Sequence, residues 1–129
     1  MLNAWSPQLL SVLRIVAALL YILHGTQKLF GAPPSAKGGT FPLASMVGAA
    51  GVIEIVGGAL ILLGLFTRVA AFICSGEMAF AYFLAHAPRG WIPLTNGGEL
   101  PVLYCFIFLY IAAAGVGAWS LDALLRRTS

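Results

Sequence analysis

The stretch from residue 14 to residue 28 reads Arg14-Ile-Val-Ala-Ala-Leu-Leu-Tyr-Ile-Leu-His-Gly-Thr-Gln-Lys28, and it decides the fold. On an α-helix of about 3.6 residues per turn, Arg14, Tyr21 and Lys28 share one face with His24. The opposite face consists of leucine, isoleucine and valine. A charged side chain at the centre of a bilayer costs roughly 2.5 to 3.5 kcal/mol on insertion scales. We therefore predict that the polar face points inward and that other helices cover it.

The composition around this stretch indicates an integral membrane protein. Of the 129 residues, 60% are hydrophobic and 9% are charged, and the mean hydropathy is +0.96. Soluble domains are about half apolar and about a quarter charged. Several apolar stretches are long enough to cross a hydrocarbon core of about 30 Å as helices. Their sequences lack the alternation of strands, and a helix satisfies all its backbone hydrogen bonds within the lipid. We predict an all-α integral membrane bundle of four transmembrane helices in one domain, 1–129, with spans at about 9–30, 43–66, 69–87 and 100–119.

The charges set expectations for partners and location. A net charge of +3 without a large basic cluster excludes a nucleic-acid-binding protein and leaves the lipid bilayer as the expected partner. Four spans place both termini on one side of the membrane. Arg126 and Arg127 are typical of a cytoplasmic anchor, so we expect both termini in the cytoplasm.

Neither a disulfide nor a metal site is predicted. Cys74 and Cys105 fall roughly 12 Å apart in depth, beyond the reach of a disulfide. The chain has no CxxC or HxxEH motif, and His24 and His86 come from separate helices. We expect free cysteines and no metal.

The ionisable residues fall into two layers by depth. The inner layer includes Glu54, which shares a helix face with Gly51 and Gly58, and Glu77, which comes within reach of Arg14 if their helices touch. Intramembrane charges indicate function by default, although compensated pairs that only fix helix order are the alternative. The outer layer, at the rim of the bundle, contains Lys28, His86, Arg89 and Glu99. The motif Asn96-Gly-Gly-Glu99 also matches a helix capping box, which would give Glu99 a structural role.

Several motifs, in this order and spacing, resemble those of the DoxX family of small membrane proteins. They are Arg14 with His24-Gly25-Thr-Gln-Lys28-Leu-Phe-Gly31, Glu54-Ile-Val-Gly-Gly-Ala-Leu-Ile-Leu-Leu-Gly-Leu-Phe-Thr-Arg68, His86, Asn96-Gly-Gly-Glu99 and Gly115-Val-Gly-Ala-Trp-Ser-Leu-Asp122. The resemblance implies four transmembrane helices in the bacterial inner membrane. It also implies a link to quinone-coupled oxidation or to redox-stress complexes, while many relatives have no assigned activity.

The leading hypothesis is a protein that binds a quinone-like or other small apolar molecule inside the bundle and serves as a subunit of a quinone-linked oxidoreductase, with no cofactor of its own. Gly51 and Gly58 would accept the flat ring, Glu54 and His24 would exchange protons with its oxygens, and Arg14 would stabilise an anionic reduced form. The other candidate ligand contacts are Tyr21, Lys28, Glu77, His86, Arg89 and Glu99. The alternatives are a non-catalytic accessory subunit of a larger membrane complex and a small-molecule transporter that works as a homo-oligomer.

Overall fold

A computed structural model describes residues 1–36 and 38–128, with side chains up to residue 125. The regular secondary structure of these residues is entirely helical, without a strand. The side chains of Arg126 and Arg127, expected to anchor the C-terminus, lie outside this described part. The helices are α1 (Ser6–Phe30), α2 (Met46–Leu63), α3 (Thr67–Ala81), α4 (Pro93–Asn96), α5 (Glu99–Ala114) and α6 (Leu121–Thr128). A 3-10 turn, Leu2–Trp5, precedes α1, and α3 continues into a π-helical turn, Tyr82–His86, and a 3-10 turn, Ala87–Arg89.

Three of these helical segments are long and apolar enough to cross a membrane: Leu2–Phe30, Met46–Leu63 and Thr67–Arg89. The fourth apolar helix, α5, has 16 residues and is therefore about 24 Å long, shorter than a hydrocarbon core of about 30 Å. Its predicted continuation to residue 119 was wrong. The helix stops because Gly115 and Gly117 adopt positive φ angles of 94° and 83°, which an α-helix does not allow.

The second and third spans form an antiparallel hairpin. Ser45 caps α2 by accepting a hydrogen bond from the Gly48 amide at 3.0 Å, so the helix starts three residues later than predicted. It ends at Gly64, whose φ of 72° is left-handed, and α3 begins at Thr67 after Phe66, which also has a positive φ. The turn thus lies just before residues 67–68, which separate the two predicted spans.

The bundle consists of two closely packed helix pairs. Helix α1 packs along α2, and α3 packs along α5, while α2 and α3 join the pairs. Contacts between α1 and α5 are few. In each pair, and between α2 and α3, the helices are antiparallel. One end of the bundle, here called the terminal end, is where α1 and α3 begin and α2 and α5 end. The opposite end is called the loop end.

The centre of the bundle contains aromatic and small side chains. The rings of Tyr21 and Phe108 meet edge to face with centroids 4.8 Å apart, in a buried cluster that also contains Ile61 and Ile111. Cys74 is buried and Cys105 half-buried, and both thiols are free, as predicted.

Candidate functional site

A cavity of about 630 Å³ lies at the loop end, between the α1/α2 pair and the α3/α5 pair. Ligand-binding cavities typically measure about 300 to 1,000 Å³. Most of its wall is apolar. The ionisable and phenolic side chains on the wall are His24, Lys28, Glu54, Glu77, His86 and Tyr104. All of these except Tyr104 were predicted from the sequence as site residues. The fold brings these five together from four segments of the chain.

Glu54 and Lys28 form an ion pair at the cavity. The Lys28 ammonium donates hydrogen bonds to both carboxylate oxygens of Glu54, with an Nζ–Oε2 distance of 2.7 Å. No other ion pair occurs among the residues described. The side chain of Glu54 is 0% exposed and that of Lys28 is 25% exposed. The placement of Lys28 with the outer rim residues was therefore wrong, because its long side chain reaches down to Glu54.

Glu77 has one carboxylate oxygen engaged and one without a partner. The Tyr21 hydroxyl donates to Oε2 at 2.9 Å, and Tyr21 is itself fixed by its burial. Oε1 is buried and has no hydrogen-bond partner in the described structure. A carboxylate held from one side by a phenol, at the wall of a cavity, is suited to form a hydrogen bond with a ligand.

His24 lies on the same wall with its ring packed edge-on against Tyr104, at a centroid distance of 5.7 Å and an interplanar angle of 83°. Aromatic pairs favour this arrangement, and it fixes the plane of the imidazole. Neither imidazole nitrogen forms a hydrogen bond with a described residue. His24 can therefore donate to or accept from a molecule in the cavity.

His86 reaches the cavity from the π-helical turn. In this turn the Ala87 amide bonds to the Tyr82 carbonyl, five residues back, and such turns are frequent at functional sites. The His86 ring stacks on Tyr82, with centroids 6.3 Å apart, and its Nδ1 lies 3.1 Å from the Asn96 carbonyl oxygen.

Asn96 holds the loop over the cavity, a role the sequence reasoning missed. It is 2% exposed, and its amide nitrogen donates to the Gly90 carbonyl at 2.8 Å and to the Tyr82 hydroxyl at 3.1 Å. Its Oδ1 accepts from the Gly98 amide at 2.8 Å. The predicted capping box does not form, because α5 begins only at Glu99. An asparagine before two glycines is itself a turn signal and could have indicated this role.

Arg14 does not reach the cavity or pair with Glu77. It is 2% exposed and points to the terminal end, where its guanidinium donates to the Val116 carbonyl and, at 3.5 Å, to the Leu62 carbonyl. Carbonyls at and beyond helix ends lack intrahelical partners, so Arg14 satisfies groups that would otherwise be unpaired. Its sequence-predicted contact with a ligand has no support in this geometry.

Side chains of α1 pack directly against Gly51 and Gly58, so the two glycines do not form an open groove. A Cβ at Gly58 would lie 2.5 Å from Ile22, and one at Gly51 would lie 3.0 Å from Leu29. The small residues allow close helix packing, which leaves no room for a flat ring. Arg89 and Glu99 are exposed and absent from the cavity wall. Both predicted ligand contacts lie on the outer surface instead.

A family model, DoxX, matches residues 9–87 of the chain. The chain belongs to the DoxX family. An uncharacterized protein of Haemophilus influenzae is 51% identical to this DoxX protein over 94% of this chain and 93% of its own length. The uncharacterized membrane protein Rv3486 of Mycobacterium tuberculosis is 32% identical over 98% of this chain and 87% of its own length. No solved structure matches significantly.

Family membership and the apolar helices together establish a membrane protein. The matched region covers α1 from residue 9 onward, α2, α3 and the whole π-helical turn. It therefore includes the Lys28–Glu54 pair and Glu77 with its Tyr21 partner, and it excludes α5 with Tyr104.

Proposed function

We propose that this DoxX protein binds a quinone, or a similar flat and lipid-soluble molecule, in the loop-end cavity and exchanges protons with it in a membrane-linked redox process. The observation that supports this most is the buried, unpartnered Oε1 of Glu77 at the wall of a mostly apolar cavity. A buried polar atom without a partner favours a ligand that supplies one.

The walls favour a ligand that arrives from the lipid. Phe80, Leu84 and Met46 line the cavity and are also exposed on the outer surface of the bundle. In a membrane this surface faces hydrocarbon, so a lipid-soluble molecule reaches the cavity sideways without crossing water. The polar groups then lie at the inner wall, where the head of an amphiphilic ligand would be placed.

Glu77 and His24 are the groups suited to proton exchange. Conversion of a quinone to a quinol takes two electrons and two protons, and each quinone oxygen gains one O–H bond. In its protonated form Glu77 can donate its proton to one oxygen, while Tyr21 holds the other side of the carboxyl group. The electrons would come from a partner protein in the membrane. Glu54, paired with Lys28, sets the local charge and does not itself need to exchange protons.

We further propose that α5 completes a four-span bundle in the bacterial inner membrane, with both termini in the cytoplasm. A helix of about 24 Å spans a bilayer when the lipid thins locally and flanking residues extend to the interfaces. The α4 turn at one end and residues 115–120 at the other supply those extensions.

The binding proposal is tested with purified protein in nanodiscs and a short-chain quinone such as decylubiquinone. Glu77→Gln keeps the size of the side chain and replaces its acidic O–H by an amide, which is a weaker donor and cannot give up a proton, so we expect binding several-fold weaker, within the range of about 1 kcal/mol for one neutral hydrogen bond. Glu99→Gln is the matched control, because it makes the same change on the exposed surface outside the cavity, and its affinity should not change. Equal affinities of wild type and Glu77→Gln would refute the assignment of Glu77.

A further inference from the structure

A second cavity, of about 750 Å³, lies at the terminal end and plays no part in the proposed quinone site. It is bounded by the start of α1, the start of α3, the end of α5 and the first turn of α6. Its wall includes Pro7, Leu10, Thr67, Arg68, Tyr110 and Asp122. Arg68, Val69 and Tyr110 are exposed on the bundle surface, so the cavity is open at the level where helix ends meet the membrane interface.

Two side chains of opposite charge lie on this wall without pairing with each other. Arg68 donates from Nη1 to the Ala113 carbonyl at 2.6 Å, which leaves Nε and Nη2 without a hydrogen-bond partner among described residues. Asp122 accepts the Phe66 amide through Oδ2 at 2.9 Å. No described cation lies within ion-pair distance of Asp122. The cavity therefore presents one positive and one negative group to whatever occupies it.

Thr67 supplies an independent indication of a ligand. It is 1% exposed, it lines the cavity, and its hydroxyl oxygen has no hydrogen-bond partner in the described structure. As the first residue of α3, it also lies where the backbone amides of the first helical turn lack intrahelical acceptors. These donors, beside the free guanidinium nitrogens of Arg68, are the groups that bind phosphate oxygens in proteins.

We propose that the terminal-end cavity binds the headgroup of phosphatidylethanolamine. The lipid phosphate would accept hydrogen bonds from Arg68 and Thr67, and its primary ammonium would donate to Asp122. The acyl chains would follow the apolar surface at Leu10 and Tyr110. Phosphatidylcholine fits less well because its quaternary ammonium has no N–H to donate, and phosphatidylglycerol fits less well because it has no cation for Asp122.

The experiment compares lipids on the delipidated full-length protein in detergent, by native mass spectrometry. Phosphatidylethanolamine should bind about five-fold tighter or more than phosphatidylcholine and phosphatidylglycerol of the same acyl chains, as expected for one additional charge-assisted hydrogen bond. Inorganic phosphate at millimolar concentration forms a separate arm. If free phosphate binds the delipidated protein and the lipid does not, the site binds phosphate alone and the lipid proposal is overturned.

Variants separate the headgroup contacts from folding. Asp122→Asn should reduce the preference for phosphatidylethanolamine over phosphatidylcholine to nearly one, while Arg89→Gln, which removes an exposed cation at the loop end, should leave it intact.

Asp122 and Arg68 also bond to helix ends, so Thr67→Val is the second variant. It keeps the shape of the side chain and removes only the unpartnered hydroxyl. It should therefore fold at least as stably as wild type without lipid and bind phosphatidylethanolamine several-fold more weakly. Equal binding of the three lipids, or unchanged lipid binding by Thr67→Val, would overturn the proposal.

Discussion

Replacing Lys28 and replacing Glu54 should lower the unfolding free energy by different amounts, because the two paired side chains are buried to different extents. Glu54 is 0% exposed and Lys28 is 25% exposed. Lys28→Met leaves a fully buried carboxylate without a cation, and the loss of one partner of a buried pair costs about 3 to 5 kcal/mol of unfolding free energy. Glu54→Met leaves an ammonium on a flexible stem at the cavity wall, where it can turn toward polar surroundings. We expect about half that cost.

Replacing both residues should restore most of the stability. A buried ion pair exchanged for apolar side chains of similar volume is often neutral or stabilising. The variant with both Lys28→Met and Glu54→Met should therefore unfold within about 1 kcal/mol of wild type, or above it. The two substitutions would then be coupled by about 3 kcal/mol or more, as residues in direct contact can be.

The assay is reversible unfolding by sodium dodecyl sulfate in mixed micelles, followed by circular dichroism. Arg89→Met and Glu99→Met are matched controls, since these charges are exposed at the same end of the bundle. Each should change the unfolding free energy by less than about 0.5 kcal/mol. If the two single costs add in the double variant, or if Glu54→Met is the more destabilising, the reasoning from burial is refuted.

Three further destabilising substitutions and one control have defined outcomes in the same unfolding assay. Gly25→Ala should cost about 1 to 3 kcal/mol, because a Cβ there would lie 2.7 Å from the Gly51 carbonyl oxygen; Gly76→Ala, with open space around it, should be neutral or stabilising. Arg14→Met should cost at least about 2 kcal/mol by leaving helix-end carbonyls unpaired, and a neutral result would contradict its assigned role. Asn96→Ala removes three hydrogen bonds and should also increase proteolysis of the loop over the cavity, which limited digestion measures.

Much of the fold was predictable because hydropathy and helical periodicity act locally. The inward face that carries Tyr21 and Arg14, and the buried face that carries Gly51, Glu54 and Gly58, follow directly from a period of about 3.6 residues. The length of α5 was not predictable in this way. Its apolar sequence continues through residues 115–119, and the helix ends there only because two glycines adopt left-handed backbone angles.

The depth of a charged group in the membrane was predicted wrongly wherever a long side chain carries the charge away from the level of its Cα atom. On a helix every Cα–Cβ bond tilts toward the N-terminus. In the antiparallel α1/α2 pair, Lys28 therefore points back into the bundle while Glu54 points toward the loop end, and the two charges meet. The same tilt directs Arg14 toward the terminal end, which explains why it reaches the Val116 carbonyl and not the carboxylate of Glu77.

The candidate site was predictable in composition but not in roles. His24, Glu54, Glu77 and His86 were all identified from the sequence, and all four line the cavity. Which carboxylate is already paired depends on contacts between helices, and no spacing within one helix encodes it. Proton exchange was consequently expected at Glu54, whereas the geometry leaves Glu77 with a free oxygen.

The π-helical turn Tyr82–His86 is equivalent to one residue inserted into an α-helix, and this gives a rule for comparing DoxX relatives. Deleting one residue of the turn, such as the exposed Phe83, would restore α-helical bonding, rotate the following residues by about 100° and shift them by about 1.5 Å. His86 would then leave the cavity wall. A single-residue gap at this point of an alignment leaves hydropathy and span length almost unchanged. It nevertheless marks a protein whose cavity presents a different side chain, and with it a different ligand preference.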